Sequence, residues 1–443
     1  MRDERVPALH TIVSGRGLMV AAPRSGAGKT VVTIGLQRAL ARCGIRVAGA
    51  KCGPDYIDPA FHAVATGHAS INLDGFALGP EIPGMAAQIA RDADLVVAEG
   101  AMGLYDGLVT ADRSGSSASV AAQLGWPVLL VLEATGSAQS IAAVAHGLAT
   151  FPGAPQIAGA IVNRVASPRH RAMIADGFAR IAIPLLGTIP RDERMMLPAR
   201  HLGLVQAGEL DELSQRIDGI ADVVAAHCDL AAIAAAAGPT RDAPAPRATI
   251  RPPGQRIAIA RDAAFAFLYP HLVASWTQAG ATIDWFSPLA DDPPPPTSDA
   301  CWLPGGYPEL HAGRLAANSR FLEGLREFAE TRLVHGECGG YIVLGRSLED
   351  ADGQTHAMAG LLPVETSFAR RKLHLGYRRA VWRRDTAFAR AGETAWGHEY
   401  HHVSVTGGEE ATLADMADGL GAALPIAGHG VGRVTGGFFH IIA

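Results

Sequence analysis

The hydrophobic pattern changes character once along the chain. From residue 18 to residue 189 it consists of short, continuous apolar runs, each closed by a polar or glycine-containing loop: 18–22 (LMVAA), 45–51 (IRVAGAK), 95–98 (LVVA), 128–132, 158–162 and 185–189. Between them lie segments of helical spacing such as 31–41 (VVTIGLQRALA), where Ile34, Leu36 and Leu40 can pack and Gly44 follows as a terminator. Continuous rather than alternating runs are what a parallel sheet buried on both faces requires, so the pattern predicts an α/β domain. The ligand of such a sheet lies beyond the carboxyl ends of its strands. The loops after these runs are therefore where chemistry is expected.

Residues 240–254 (TRDAPAPRATIRPPG) interrupt the pattern, being rich in proline and poor in periodic apolar positions. They read as a linker. Beyond them the pattern restarts: 256–260 (RIAIA) reads as a strand, 267–279 as a helix, 281–286 (ATIDWF) as a strand, 293–296 (PPPP) as a rigid connector and 300–303 as a strand, while 333–335 leads into a turn at 337–340. The expected organisation is a first domain over 1–240, a linker over 241–254 and a second α/β domain over 255–443. Two domains of about 200 residues also suit the chain length. No internal repeat of fixed period is visible.

The first apolar run opens into PRSGAGKT, residues 23–30. A strand that ends in a glycine-rich turn and opens a helix directs several backbone N–H groups at one spot, where the helix N-terminus adds positive charge. Such a spot binds phosphate. Lys29 is expected to reach the terminal phosphates of ATP and Thr30 to hold a metal ion, while Gly26 and Gly28 let the backbone approach. Pro23 stands where the usual first glycine of the motif would be, and this variant resembles the deviant P-loop of the dethiobiotin-synthetase-like ATPases. ATP chemistry needs Mg²⁺, and Mg²⁺ needs oxygen ligands. Glu99, ending an apolar run, stands where a Walker B acid would. The loop read over 52–62 (CGPDYIDPAFH) adds Asp55 and Asp58, and 100–107 (GAMGLYDG) adds Asp106, which serves metal, substrate or the turn itself. Asn163, closing the fifth run, fits either an adenine edge or a helix cap.

In the second half, HGECGGY (335–341) places Cys338 at a strand-to-helix turn among glycines. A lone cysteine is more often buried structure, but glycines make poor core and good turns, and a helix N-terminus beside it is expected to lower the thiol pKa. Residues 303–309 (LPGGYPE) offer backbone N–H groups for an oxyanion at Gly306, joined by Gly339. The remote His440 in GGFFHIIA supplies a base. His398–His402 fits the zinc pattern H-E-x-x-H, which works only on a helix. The following HVSVT alternates, so a strand is expected, and its two histidines would stand about 13 Å apart, too far to share one zinc.

Composition narrows the classes. With 48% hydrophobic and 18% charged residues and a formal net charge of −5, the chain has the balance of a globular protein with no general affinity for nucleic acid or anionic membranes. Basic clusters at 164–171 and 370–372 are either solvated surface or sites for a polyanionic small molecule. The five cysteines, Cys43, Cys52, Cys228, Cys301 and Cys338, contain no C-x-x-C pair, which fits a reducing compartment. The opening MRDERVPALH lacks an apolar core for a signal peptide, and the longest apolar stretches, 120–132 and 223–238, are interrupted and too short to span a bilayer. A cytoplasmic location is expected.

Taken together and in order, the P-loop, KCGPDYIDPAFH, EGAMGLYDG, LPGGYPELHA, ECGGY, RKLHLGYR and GHEYHH resemble the cobyrinic acid and hydrogenobyrinic acid a,c-diamide synthases over nearly the whole chain. The resemblance implies a dethiobiotin-synthetase-like ATPase followed by a class I glutamine amidotransferase domain. Glutamine would be hydrolysed at Cys338 with His440 as general base, and ammonia passed to a carboxylate activated by ATP. Lys29, Thr30 and Glu99 would serve nucleotide and Mg²⁺, and Asp55 and Asp106 the synthetase site. One departure is plain: the acid expected two residues after the histidine is Ile442. Either another group orients His440 or no third member is needed, and glutaminase activity without the partner substrate would be weak. The implied partners are a tetrapyrrole polycarboxylate, L-glutamine and ATP, with no nucleic acid or membrane, and a homodimer is compatible with this reading. Competing readings are an amidase of another tetrapyrrole (nickel sirohydrochlorin or a cobyric acid precursor), a partitioning-type P-loop ATPase and a zinc hydrolase.

Overall fold

The computed structural model describes residues 15–200, 203–204, 212–247, 250–369 and 371–443. The opening stretch read for a signal, positions 248–249 of the linker and Arg370 of the second basic cluster lie outside the described residues. The chain divides into two compact units, Met1–Arg247 and Ala248–Ala443.

The first unit alternates strands and helices as the apolar runs predict: β1 Arg16–Ala21, α1 Lys29–Arg42, β2 Val47–Cys52, α2 Ile57–Thr66, β3 Ile71–Leu73, α3 Ile82–Asp92, β4 Leu95–Glu99, α4 Ser117–Leu124, β5 Val128–Glu133, α5 Ser140–Thr150, β6 Ile157–Val165, α6 Pro168–Phe178 and β7 Leu185–Pro190. A two-residue pair, β8 Ala199–Arg200 and β9 Gly203–Leu204, precedes α7 Leu213–His227, α8 Leu230–Ala236 and β10 Gly238–Pro239. The strands stack in the order β3-β2-β4-β1-β5-β6-β7, all parallel, with β10 antiparallel beside β1. Strand order therefore reverses about β1, and the loop after β1 sits at the crevice this creates. Leu18, Val20, Leu36, Leu129 and Ile220 are buried in one core between sheet and helices. Gly35 lets α1 approach α7 closely, because a Cβ there would stand 2.6 Å from Val224 Cγ2.

One expectation needs correction here. Residues 52–62, read as a loop because of their prolines and aspartates, turn into helix at Ile57. The Asp55 carboxylate accepts from the N–H groups of Ile57 and Asp58 at 2.7 and 3.0 Å, and Pro59 sits in the first turn, where a missing N–H costs nothing. The stretch read as a linker contains the boundary between the two units and makes contacts of its own. Trp126 Nε1 donates to Thr240 Oγ1 (3.1 Å), the Arg247 N–H donates to Glu81 (2.7 Å), and Gly84 makes room for the Pro244 carbonyl. On the other side of the boundary, Ile250 is buried and its carbonyl accepts from Trp276 Nε1 (3.2 Å).

The second unit begins with β11 Arg256–Ala260, α9 Pro270–Gln278, β12 Thr282–Phe286, β13 Ala300–Leu303, α10 Ala312–Ala317, α11 Ser319–Thr331, β14 Leu333–Glu337 and α12 Gly339–Leu344. Helix α9 starts at Pro270, later than the pattern suggests, because Phe267 is held by a backbone bond to the Gly305 carbonyl (2.9 Å). Eleven short strands follow: β15 Ser347–Glu349, β16 Thr355–Ala357, β17 Val364–Ser367, β18 His374–Trp382, β19 Thr394–His401, β20 Ser404–Gly408, β21 Ala414–Asp418, β22 Ala423–Ala427, β23 His429–Val431, β24 Val434–Gly437 and β25 His440–Ile441. A mostly parallel sheet runs β12-β11-β13-β14-β24-β23, with β23 antiparallel at its edge. Two antiparallel sheets, β16-β15-β17-β20 and β22-β21-β18-β19-β25, complete the unit. Phe265, Phe321, Leu325, Val334 and Tyr341 belong to its buried core.

Candidate functional sites

In the first unit the turn after β1 takes the shape its glycines allow. Gly26 and Gly28 have φ of 81° and 88°, a region closed to most side chains, and Gly28 heads α1. A Cβ on Gly28 would stand 2.2 Å from Asn163 Nδ2, which itself donates to the Ala27 carbonyl at 3.3 Å. Asn163 thus braces the turn from the end of β6. Lys29 is buried and donates to the Met102 carbonyl at 3.1 Å. Burial holds its pKa below the usual lysine value despite the nearby Glu99 carboxylate.

Beneath the turn lies a buried cluster of charge. Thr30 Oγ1 donates to Glu99 Oε1 at 2.6 Å and stands 3.5 Å from Asp58 Oδ2. Lys51 Nζ lies 2.5 Å from Asp58 and 3.0 Å from Glu99, and His62 Nε2 is 2.9 Å from Glu99 Oε2. His62 Nδ1 is in turn 3.3 Å from Ser70 Oγ. Burial opposes charge on Lys51, Asp58 and Glu99. For Lys51 the carboxylates of Asp58 and Glu99 outweigh that penalty and raise its pKa, and for Glu99 the contacts with Lys51 and His62 hold it far below the ordinary range. Asp58 differs, since burial dominates and pushes its carboxyl up to about 7, with Lys51 only partly offsetting this.

The candidates from sequence separate into two groups. Lys29, Thr30, Asp58, Glu99 and Asn163 meet at the turn, whereas Asp55 caps α2 and Asp106 Oδ2 accepts from the Gly103 N–H at 2.9 Å. Sequence reasoning missed Lys51 and His62. The available signal was a lysine inside an otherwise apolar run, since every residue of β2 is buried. The donors fit a hard cation, because Thr30 and Glu99 present oxygens and Mg²⁺ is commonly held by one or two carboxylates beside phosphate. Among the described residues no group of three or more His, Cys, Asp or Glu side chains forms a dedicated metal cage. Of the first basic cluster, Arg164 pairs with Glu133 at 2.6 Å.

In the second unit Cys338 sits at the junction of β14 and α12 with φ 45° and ψ −101°, a strained conformation for a residue with a Cβ, costing about 1–3 kcal/mol. Its N–H donates to the Gly437 carbonyl at 2.8 Å, because β14 and β24 pair in parallel with Glu337 opposite Gly437. His440 follows three residues later on β25, and its ring lies against Gly305, where a Cβ would stand 2.5 Å from Cε1. Cys338 and His440 thus both follow the ends of the paired strands β14 and β24. A Cβ on Gly339 would lie 3.0 Å from the Gly306 nitrogen, so the two expected oxyanion turns are in contact. Glu337 Oε1 accepts from the Ile441 N–H at 3.0 Å, and its Oε2 is 3.9 Å from His440 Nδ1.

The expected acidic thiol is not found. Burial pushes the Cys338 thiol well above its ordinary value, with the Glu309 carboxylate adding to this, and α12 is only six residues long. Burial likewise pushes His440 down, aided by His398, and raises Glu337 to about 8. All three groups therefore favour their neutral forms at pH 7. The H-E-x-x-H stretch runs along β19 as far as His401, with His402 just beyond the strand; His398 is opposite His440 and the two rings stack at 5.0 Å.

Comparison with known proteins bears on both units. Residues 18–205 match the CobQ/CobB/MinD/ParA nucleotide binding domain, and residues 256–443 match the CobB/CobQ-like glutamine amidotransferase domain. The chain is 54% identical over 431 residues to a hydrogenobyrinate a,c-diamide synthase of Rhodobacter capsulatus, covering 97% of this chain and 99% of that protein. It is 51% identical over 435 residues to one from Mesorhizobium japonicum, with the same coverage of 97% and 99%. Among solved structures, the cell division ATPase MinD of Pyrococcus furiosus overlaps 48% of this chain and 99% of its own, at 17% identity and a TM-score of 0.29, too low to add to the fold already described.

Proposed function

The chain belongs to the hydrogenobyrinate a,c-diamide synthase family, and from that premise we propose that it converts the a and c side-chain carboxylates of hydrogenobyrinic acid to amides in cobalamin biosynthesis, using ATP and glutamine. The observation that carries this reading is similarity over 97% of the chain, with the nucleotide-binding and amidotransferase families matched on separate units.

In the first unit Lys29 exchanges the Met102 carbonyl for the terminal phosphates of ATP, and the N–H groups around Gly26 and Gly28 receive the remaining phosphate oxygens. Thr30 and Glu99 would hold Mg²⁺, whose charge offsets that of the phosphates. Asn163 keeps the turn in shape and is close enough to it to meet the nucleotide. Asp55 before α2, Asp58 in its first turn and Asp106 in the loop after β4 would belong to the synthetase site. A substrate carboxylate attacks the γ-phosphorus, giving an acyl phosphate and ADP. Ammonia then attacks the acyl carbon and inorganic phosphate leaves with the C–O electron pair.

In the second unit the Cys338 thiol gives its proton to His440 as sulfur bonds to the amide carbon of glutamine. The N–H groups of Gly306 and Gly339 face the developing oxyanion. The proton passes to the departing nitrogen, ammonia leaves, and water hydrolyses the thioester to glutamate and free thiol. Because both partners start neutral, the ion pair must form within the assembled complex, which predicts weak glutaminase activity in the free enzyme. Five free cysteines support a reducing cytoplasm as the compartment, and no described helix is long and apolar enough to cross a membrane. A homodimer is compatible with this scheme and is not required by it.

The test is amidation of hydrogenobyrinic and cobyrinic acids with ATP and Mg²⁺, supplying glutamine or ammonium. Diamide formation from hydrogenobyrinic acid with either nitrogen source is expected. Failure of both tetrapyrroles with both sources would overturn the substrate assignment.

A further inference from the structure

The amidotransferase reading leaves the base without its expected acid, because Ile442 stands two residues after His440. From the geometry we infer that Glu337, the residue immediately before the nucleophile, is the positioning residue that orients His440 and receives the charge that forms on it. This inference rests on the glutaminase assignment of Cys338.

Four observations carry it. Glu337 and His440 are both buried, with side chains 2% and 1% exposed, so water cannot take over their interaction. Oε2 of Glu337 stands 3.9 Å from His440 Nδ1. That is longer than a hydrogen bond and within the reach of a small rotation of either side chain. The other oxygen, Oε1, is anchored by the Ile441 N–H at 3.0 Å, so the carboxyl spans two consecutive residues of β25 and has little freedom to point elsewhere. Finally, Glu337 and Cys338 are consecutive, at the end of β14 beside β24, so acid and nucleophile move as one piece relative to the base.

The chemistry follows from which nitrogen faces the acid. For His440 to take the thiol proton through Nε2, Nδ1 must carry hydrogen and needs an acceptor. An ionised Glu337 is that acceptor, and it becomes most valuable when the imidazolium forms beside it. The neighbouring groups make both charges of the pair costly. His398 is stacked on the ring and disfavours its charge, while Glu309 and Glu399 act on Cys338 and raise the cost of a thiolate. Burial raises Glu337 to about 8, so the carboxylate that accepts from Nδ1–H is the minor form near pH 7 and gains population as pH rises toward that value. No oxidant or additional reactant is involved: one proton leaves sulfur, resides on Nε2 and departs with ammonia.

The test separates positioning from structure. In Glu337→Gln the amide oxygen can still accept from Ile441, which preserves the fold contact. The amide NH₂ then faces Nδ1 as a donor and enforces the wrong tautomer. We expect glutaminase kcat to fall by on the order of 10²-fold, with KM for glutamine changed by less than about threefold and no fall in Tm. Glu337→Asp, which keeps the charge, should recover part of the loss. A Glu337→Gln enzyme with kcat within about twofold of wild type overturns the inference, as does a loss of kcat matched by a fall in Tm or a parallel rise in KM. Cys338→Ala runs alongside: if that variant keeps glutaminase activity, the Cys338 assignment has failed and not merely the role of Glu337.

Discussion

The two sites handle burial in opposite ways. At the nucleotide turn, the buried charges of Lys51 and Glu99 are kept by pairing: Lys51 lies against Glu99 and Asp58, and His62 and Thr30 complete the bonds to Glu99. At the nucleophile, Cys338, His440 and Glu337 are equally buried, and each is pushed toward its neutral form. The contrast suits the two reactions. Phosphoryl transfer needs fixed charge waiting for a charged ligand, so the first site has only to exchange protein partners for phosphate and metal. Amide hydrolysis needs a thiolate at one moment only, so the second site can rest neutral between turnovers.

The largest expected effect breaks the two regions apart. Cys338→Ala should lower glutamine-dependent amidation by more than about 10³-fold and leave ammonium-dependent amidation unchanged. Loss of both would mean that the second unit does more than supply ammonia. Next, Lys29→Ala should lower amidation by about 10²- to 10³-fold whichever nitrogen source is supplied, because it removes a group expected to stabilise the transferring phosphate. A defect confined to glutamine would contradict the division of labour.

A smaller effect sharpens the account of the paired cluster. His62→Ala removes a contact that holds Glu99 in place, and should raise the Mg²⁺ concentration needed for half-maximal amidation by about 10- to 100-fold. An unchanged Mg²⁺ titration would remove His62 from that role.

The smallest concerns stability at the neutral site. Glu337 has its folded pKa raised to about 8, so the preference of the fold for the protonated acid is fully present below the unfolded value near 4.5 and lost as pH rises through about 8. Glu337→Gln never ionises. Its Tm relative to wild type should therefore climb between pH 5 and pH 8 and level off above, and a flat difference across that range would show that Glu337 ionises freely in the fold.

Much of this was legible in the sequence. The continuous apolar runs correspond to β1, β2 and β4 to β7, and the demand for glycine at 26 and 28 appears as positive φ. What stayed hidden depended on contacts distant in sequence. Whether Asp55 points into a crevice or caps a helix is decided by where α2 starts, which the prolines of CGPDYIDP obscured. Lys51 and His62 become part of a site only when β2, α2 and β4 are neighbours. Glu337 was overlooked because the acid was sought by its spacing from the histidine, whereas the fold brings it from the strand of the nucleophile. The thiol went the other way from expectation because a six-residue helix contributes little beside complete burial. The strands from β15 onward are short and pair locally or across long gaps, and their apolar positions, split among three sheets, leave a weak pattern.

The central claim is that one unit releases ammonia from glutamine at Cys338 and the other fixes it onto an ATP-activated carboxylate. The most direct measurement supplies hydrogenobyrinic acid, ATP and Mg²⁺ with amide-¹⁵N glutamine and unlabelled ammonium together, and reads the isotope in the diamide. Wild type should incorporate ¹⁵N at both amides, and Cys338→Ala should form the same diamide carrying only unlabelled nitrogen. Diamide labelled with ¹⁵N in the Cys338→Ala reaction would contradict the account.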